Sequence, residues 1–172
     1  MKYLFSLLCL FVLFSSCEQK ECCVSIEVEN FTFDVAAKGC SNFYVYKELP
    51  AQRLHLYVQG DRDALALDLT EKEFEVTNEA LKVEMLQFDG EIGQYACDDV
   101  ANDQGEVIST WSAISGIVTI QITQDSISIN PWEMTYEVNV KLNDVVLENE
   151  QEEKVTVKET TFEKVYVGWL PG

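Results

Sequence analysis

An all-β domain, an antiparallel two-sheet β-sandwich, is what this 172-residue sequence predicts. Three observations carry the expectation. Apolar residues recur at every second position in one segment after another, which is the period of a half-buried strand. Turn-forming residues punctuate these runs at intervals of roughly 8–12 residues, the spacing of antiparallel connections. The reverse faces are polar, so each sheet buries one side only. About nine or ten strands in a chain of this length fit two packed sheets, with a small closed barrel as the alternative.

The elements follow in order. Val24, Ile26 and Val28 alternate with Ser25 and Glu27. Leu54, Leu56 and Val58 alternate with His55 and Tyr57, and Leu65, Leu67 and Leu69 with Ala66 and Asp68. Gly60-Asp61-Arg62-Asp63 between these two runs has the composition of a hairpin turn. Glu73-Phe74-Glu75-Val76 alternates well enough to be a strand. Leu81, Val83 and Met85 share one face, and the phase then slips to Leu86 and Phe88, which predicts a bulge. Val118, Ile120 and Ile122 precede Gln124-Asp125-Ser126, with Ile127 and Ile129 after it, and this reads as a second hairpin. Met134 to Leu142 is the longest clean alternation, turning at Asn143-Asp144 into Val145 and Leu147. Glu148 to Lys154 is a charged loop, and Val155, Val157, Val165, Val167 and Trp169 complete the pattern.

The first residues read differently. Lys2 precedes an apolar run from Leu4 to Phe14, too short for a bilayer span of about 20 residues and suited to a signal peptide. The run ends Ser15-Ser16-Cys17, which resembles the bacterial lipoprotein signal, where the cysteine thiol takes the lipid and becomes the new N-terminus. Phe14 stands where that signal usually carries Leu, Val or Ile, a relaxation familiar in Bacteroidota. Glu18-Gln19-Lys20-Glu21 resembles the acidic export signal of surface lipoproteins in the same group. The expected organisation is therefore a signal peptide at 1–16, an acidic tether at 17–23 and the β-sandwich at 24–172. The expected address is the outer membrane, with the body displayed at the cell surface through a lipid on Cys17.

Composition bounds the partners. Twelve basic residues stand against 30 acidic ones, a formal charge of −18. Such a body repels phosphate backbones, which excludes nucleic acid, and it does not lie on anionic lipid. Cys9 leaves with the signal and Cys17 carries the lipid, so Cys22, Cys23, Cys40 and Cys97 remain. Four cysteines allow three connectivities. Cys40 and Cys97 lie inside the patterned body and are the best pair; adjacent Cys22 and Cys23 stay open between a strained bridge, free thiols and a link to another chain.

Chemistry-bearing motifs are sparse. His55 is the one histidine, and strand phase places it opposite the leucines, on an outward face. No phosphate loop, zinc motif or nucleophile elbow is present. Asp98, Asp99, Asn102, Asp103 and Glu106 crowd oxygen donors without the spacing of a calcium loop, and they read as an acidic loop pinned by Cys97. Trp111, Trp132 and Trp169, with Phe43, Tyr44, Tyr46 and Tyr95, could form a sugar-stacking face, but core or edge packing is the better reading for most of them. Trp111 lies between strands and Trp132 at a strand start, where both could be exposed, and Trp169 is in phase with Val165 and Val167 and reads as core. Asp125-Ser126-Ile127 resembles the Bacteroidota O-glycosylation signal, at an expected hairpin tip. The sequence predicts no cofactor, no metal site and no catalytic residue, hence a binding or accessory module and not an enzyme, with an outer-membrane protein or a glycan as partner. A structural envelope-assembly role and a carboxylate-based hydrolase are the alternatives.

Taken together, the lipoprotein start, Lys38-Gly39-Cys40-Ser41-Asn42-Phe43 running into Tyr44-Val45-Tyr46-Lys47, Tyr95-Ala96-Cys97-Asp98-Asp99-Val100, Thr110-Trp111-Ser112-Ala113 leading to Ser115-Gly116, and the ending Val167-Gly168-Trp169-Leu170-Pro171-Gly172 resemble uncharacterised small Bacteroidota outer-membrane lipoproteins. The resemblance implies a Cys40–Cys97 disulfide and an outer-membrane address, and no activity. Cys17→Ser is expected to move the protein from the membrane to the soluble fraction. Continued sedimentation with membranes would exclude lipid attachment at this residue.

Overall fold

A computed structural model describes residues 31–93, 96–97, 105–130 and 133–168. The expected signal peptide, the tether, the strand at Val24 to Val28, and Cys22 and Cys23 lie outside the described residues. The described chain is all-β: β1 (Lys38–Cys40), β2 (Tyr44–Leu49), β3 (Leu54–Gly60), β4 (Lys72–Glu75), β5 (Leu81–Phe88), β6 (Val107–Asn130), β7 (Glu133–Glu148) and β8 (Lys154–Val167). Every pairing is antiparallel. One hydrogen-bonded path runs β1-β2-β3-β5-β6-β7-β8, with β4 beside β6.

The sheet curls on itself. The amide of Gly168, just past β8, donates to the carbonyl of Ser41, just past β1, at 2.6 Å. Gly39 lies where a Cβ would fall 2.5 Å from Val165 Cγ1, so only glycine lets β1 cross this closely over β8. Inside the curl sits the main core, which includes Val45, Leu56, Val58, Val83, Met85, Val118, Ile120, Val140, Leu142, Leu147, Val157 and Phe162.

The long β6–β7 ribbon makes the curl possible. β6 pairs with β5 from Val107 to Ser112, then with β4 from Ile117 to Ile120, while β7 pairs along its other edge from Ser112 onward. The handover falls at Gly116, whose φ is +123° and whose Cβ would sit 2.6 Å from Val145 Cα. Register shifts flank it at Ser115, and across the ribbon Asp144 takes a φ of 48°. Gly116 and Asp144 bend the two strands together.

Several sequence expectations are corrected. Gly60 to Asp63 does not close a hairpin: β3 pairs with β2 and β5. Residues 61–67 instead form successive turns, with Leu65 N donating to Asp61 O and Leu67 N to Arg62 O, each at 3.0 Å. Asp61 Oδ1 holds the first turn by accepting from the amides of Asp63 and Ala64. Leu65 and Leu67 still reach the core, so their alternation reports burial and not a strand. Gln124-Asp125-Ser126 lies within β6, and Asn143-Asp144 lies within β7. The Glu73–Val76 expectation matches β4, and the charged segment after Glu148 does connect β7 to β8. There Asn149 Oδ1 accepts from the amides of Gln151 and Glu153.

A register shift does stand between Gln87 and Phe88 in the β5–β6 pairing, but the burial of Leu86 that breaks the phase has another cause. β5 keeps one register against β3 from Leu81 to Gln87. Leu86 and Phe88 point to the opposite face and join Tyr46, Tyr57 and Ile92 in a second core outside the curl, against which Ala96 and Cys97 pack. The Cys40–Cys97 disulfide, with Cα atoms 5.7 Å apart and a separation of 57 residues, ties Cys97 to β1. Loop closure of that length stabilises by about 4 kcal/mol in the chain-entropy account. The double variant Cys40→Ala/Cys97→Ala should therefore lose about 4 kcal/mol of unfolding free energy in denaturant titration. A midpoint unchanged from wild type would mean that the second core holds without its staple.

Candidate functional site

Three places bring polar side chains together under constraint: the outer face of β2-β3-β5, the seam between β2 and β8, and one open end of the curl.

The outer face is a buried network. Register places Glu48 opposite His55, Tyr46 opposite Tyr57, and Tyr57 opposite Glu84. Tyr44 and Tyr57 stack with centroids 5.0 Å apart, and Tyr46 and His55 at 4.9 Å. His55 is 0 % exposed, which corrects the solvent-facing expectation: its face points away from the main core, as strand phase requires, but the second core covers it. The Tyr44 hydroxyl and His55 Nε2 are 2.9 Å apart, and His55 Nδ1 lies 3.4 Å from Glu48 Oε1. Lys38 Nζ donates to Glu48 Oε2 at 2.9 Å. His55 first, and Lys38 after it, hold the Glu48 carboxyl below its ordinary range against the opposing effect of burial. Glu84 is also buried. It accepts from the Tyr57 hydroxyl, from Ser112 Oγ at 3.1 Å and from Lys82 Nζ at 2.9 Å. With both carboxylates held by side chains of neighbouring strands, this face is suited to holding strands in place.

The seam is less complete. Lys47 follows the inward phase of Val45 and Leu49, and it is 8 % exposed. Its Nζ lies 5.6 Å from the Phe162 ring centroid and donates to Phe33 O at 2.8 Å. Burial lowers its pKa from the ordinary lysine value, although Asp34 and Glu163 oppose the shift from a distance. Beside it, Thr160 is 4 % exposed, and its hydroxyl has no hydrogen-bond partner among the described residues.

The open end holds a pocket of about 330 Å³. Phe31, Leu54, Met85 and Trp111 supply its apolar lining, and Gln52 and Gln87 line it as neutral polar residues. Trp111 is 9 % exposed and faces Met85 across the β5–β6 pair. It is thus a buried wall of a pocket, the core-packing alternative of the sequence, and not an open stacking platform. Its indole N–H has no partner among the described residues.

Other expected site residues stand as follows. Cys40 and Cys97 are joined. Cys17, Trp132, Trp169, Tyr95 and the acidic positions Asp98, Asp99, Asn102 and Asp103 lie outside the described residues, and Glu106 is exposed. Asp125 is not at a hairpin tip; it pairs with Arg62 at 3.0 Å from within β6. Sequence reasoning missed Lys47 and Glu84. Strand phase was the available signal: Lys47 is in step with buried Val45, and Glu84 with buried Leu86 and Phe88.

The depressed Glu48 carboxyl has a sign. Its contribution to stability is present above the unfolded carboxylate pKa and is lost as pH falls through the lower folded value. The urea midpoint should therefore fall more steeply below about pH 4.3 in wild type than in Glu48→Gln, and parallel curves would show that Glu48 carries no linked stability. No family model, no curated protein and no solved structure matches the chain.

Proposed function

We propose that this protein is a lipid-anchored module of the bacterial outer membrane, displayed at the cell surface through Cys17, that binds a small ligand without transforming it. The sequence support is the Ser15-Ser16-Cys17 ending and the acidic stretch after it. A short solvated tether of this kind keeps a folded body clear of the headgroups. In this reading the two halves of the curled sheet act as the two layers of a β-sandwich, and the ligand enters at the open end between them.

The observation that carries the reading is the pocket at Trp111. Its volume of about 330 Å³ falls in the range of small-molecule sites, which combine apolar walls with a few placed polar groups. Lys154 and Glu153 beside it already engage Glu148 and Asn149. The uncommitted polar groups are therefore the neutral amides and the indole N–H. That favours an uncharged ring, a sugar or a heteroaromatic, with acceptors on its edge.

Gln87→Trp would fill the pocket from a half-buried lining position opposite Leu54. A thermal-shift panel of neutral glycans and ring compounds should yield a ligand for the full-length protein whose affinity falls at least about tenfold in this variant. No hit in wild type, together with a stoichiometric membrane-barrel partner in cross-linked pull-downs, would replace the ligand binder with an accessory subunit.

A further inference from the structure

The second cleft, at the seam, differs from the Trp111 pocket in chemistry. Its volume is about 520 Å³, and it lies between the segment at Phe33 and Asp34 and the strand β8. Lys47 stands at its inner wall, and Asp34, Glu159 and Glu163 line it as well. The charge arrangement is unusual in one respect. An ammonium carries three donors, and Lys47 spends one on the neutral carbonyl of Phe33. Among the described residues no carboxylate comes within ion-pair distance of it.

A buried cation is costly unless it is paired and hydrogen-bonded. Here Asp34 and Glu163 act on the ammonium only from beyond ion-pair distance, so a close anionic partner can still be accommodated. A bare anion is a poor candidate, because the approach runs past Asp34 and Glu163, neither of which has an ion-pair partner among the described residues, on a chain of formal charge −18. Glu159 is partly committed to Lys141 at 3.4 Å. A molecule that carries both signs satisfies both ends. Its carboxylate completes the Lys47 ammonium, and its own ammonium meets the Asp34 and Glu163 carboxylates.

We infer that the seam cleft is a binding site for a small zwitterion of the amino-acid or short-peptide class, with Lys47 receiving the carboxylate and Asp34 and Glu163 the amine. Lys47 is a binding group here, and no bond is made or broken.

The test is calorimetric titration of the full-length lipidated protein in detergent with glycylglycine, acetate and methylammonium. Glycylglycine should saturate a single site, while acetate and methylammonium bind at least about tenfold more weakly. Lys47→Met should abolish the glycylglycine signal, and the pocket-filling Gln87→Trp should leave it intact. Lys47 is buried, so its variant can fail to fold; Glu163→Gln changes an exposed side chain and should weaken glycylglycine several-fold in a protein that melts like wild type. Absence of saturable glycylglycine binding by the folded protein overturns the inference. So does acetate binding as tightly as glycylglycine, or an affinity unchanged in Glu163→Gln.

Discussion

The close approach of Gly116 to Val145 is the constraint on which the rest of the architecture depends. With no side chain at 116, the backbones of β6 and β7 come together where any Cβ would collide with Val145 Cα. The ribbon bends there, β6 exchanges β5 for β4 as its neighbour, and the sheet turns over its own core. Without the bend, the strands would continue as an open twisted sheet with an exposed apolar face. The seam and the open end follow from it, since both are places where a curl of this kind leaves the two halves incompletely joined.

A second constraint acts from outside. β2, β3 and β5 are buried on both faces, because a segment tied back by the Cys40–Cys97 disulfide packs onto their outer side. Tyr, His and Glu can occupy that face only when hydrogen-bonded, since an unsatisfied buried polar group costs roughly 1–3 kcal/mol. The Tyr57–Glu84–Ser112 and Tyr44–His55 contacts meet that demand. The network and the disulfide therefore depend on each other: loss of the cover would expose aromatics, and loss of the donors would leave buried carboxylates alone.

Fold class was legible because period-2 alternation survives wherever one face alone is buried, as in β7 and β8. Where both faces are buried, the signal fails. β2 places Tyr on one side and Lys47 on the other, so it does not read as a strand at all, and β5 reads as a strand with a phase error. Turn composition misled in the opposite sense. Asn143-Asp144 and Gln124-Asp125-Ser126 have the residues of turns, but long antiparallel strands accommodate polar and left-handed positions at bulges. The Trp111 pocket was half legible: the residue was singled out, while its inward orientation depends on pairing with β5, which no local pattern encodes. Lys47 was hidden by its charge, although its phase was correct.

Lys47 also sets the two cavities apart in chemistry. An apolar side chain at this inward position would add about 2 kcal/mol of burial, and the chain carries a desolvated ammonium there instead. Stability alone does not select that exchange. Snorkelling accounts for a buried methylene stem but not for an amine that ends over the Phe162 ring and on a neutral carbonyl beside a cleft. The open end has the reverse character, with neutral amides around aromatic and aliphatic walls. The two proposed sites therefore differ in what they would discriminate, charge pattern at the seam and shape and hydrogen bonding at the mouth. The strong acidity of the surface sharpens the first and leaves the second indifferent, since an uncharged ring neither gains nor loses from the surrounding field.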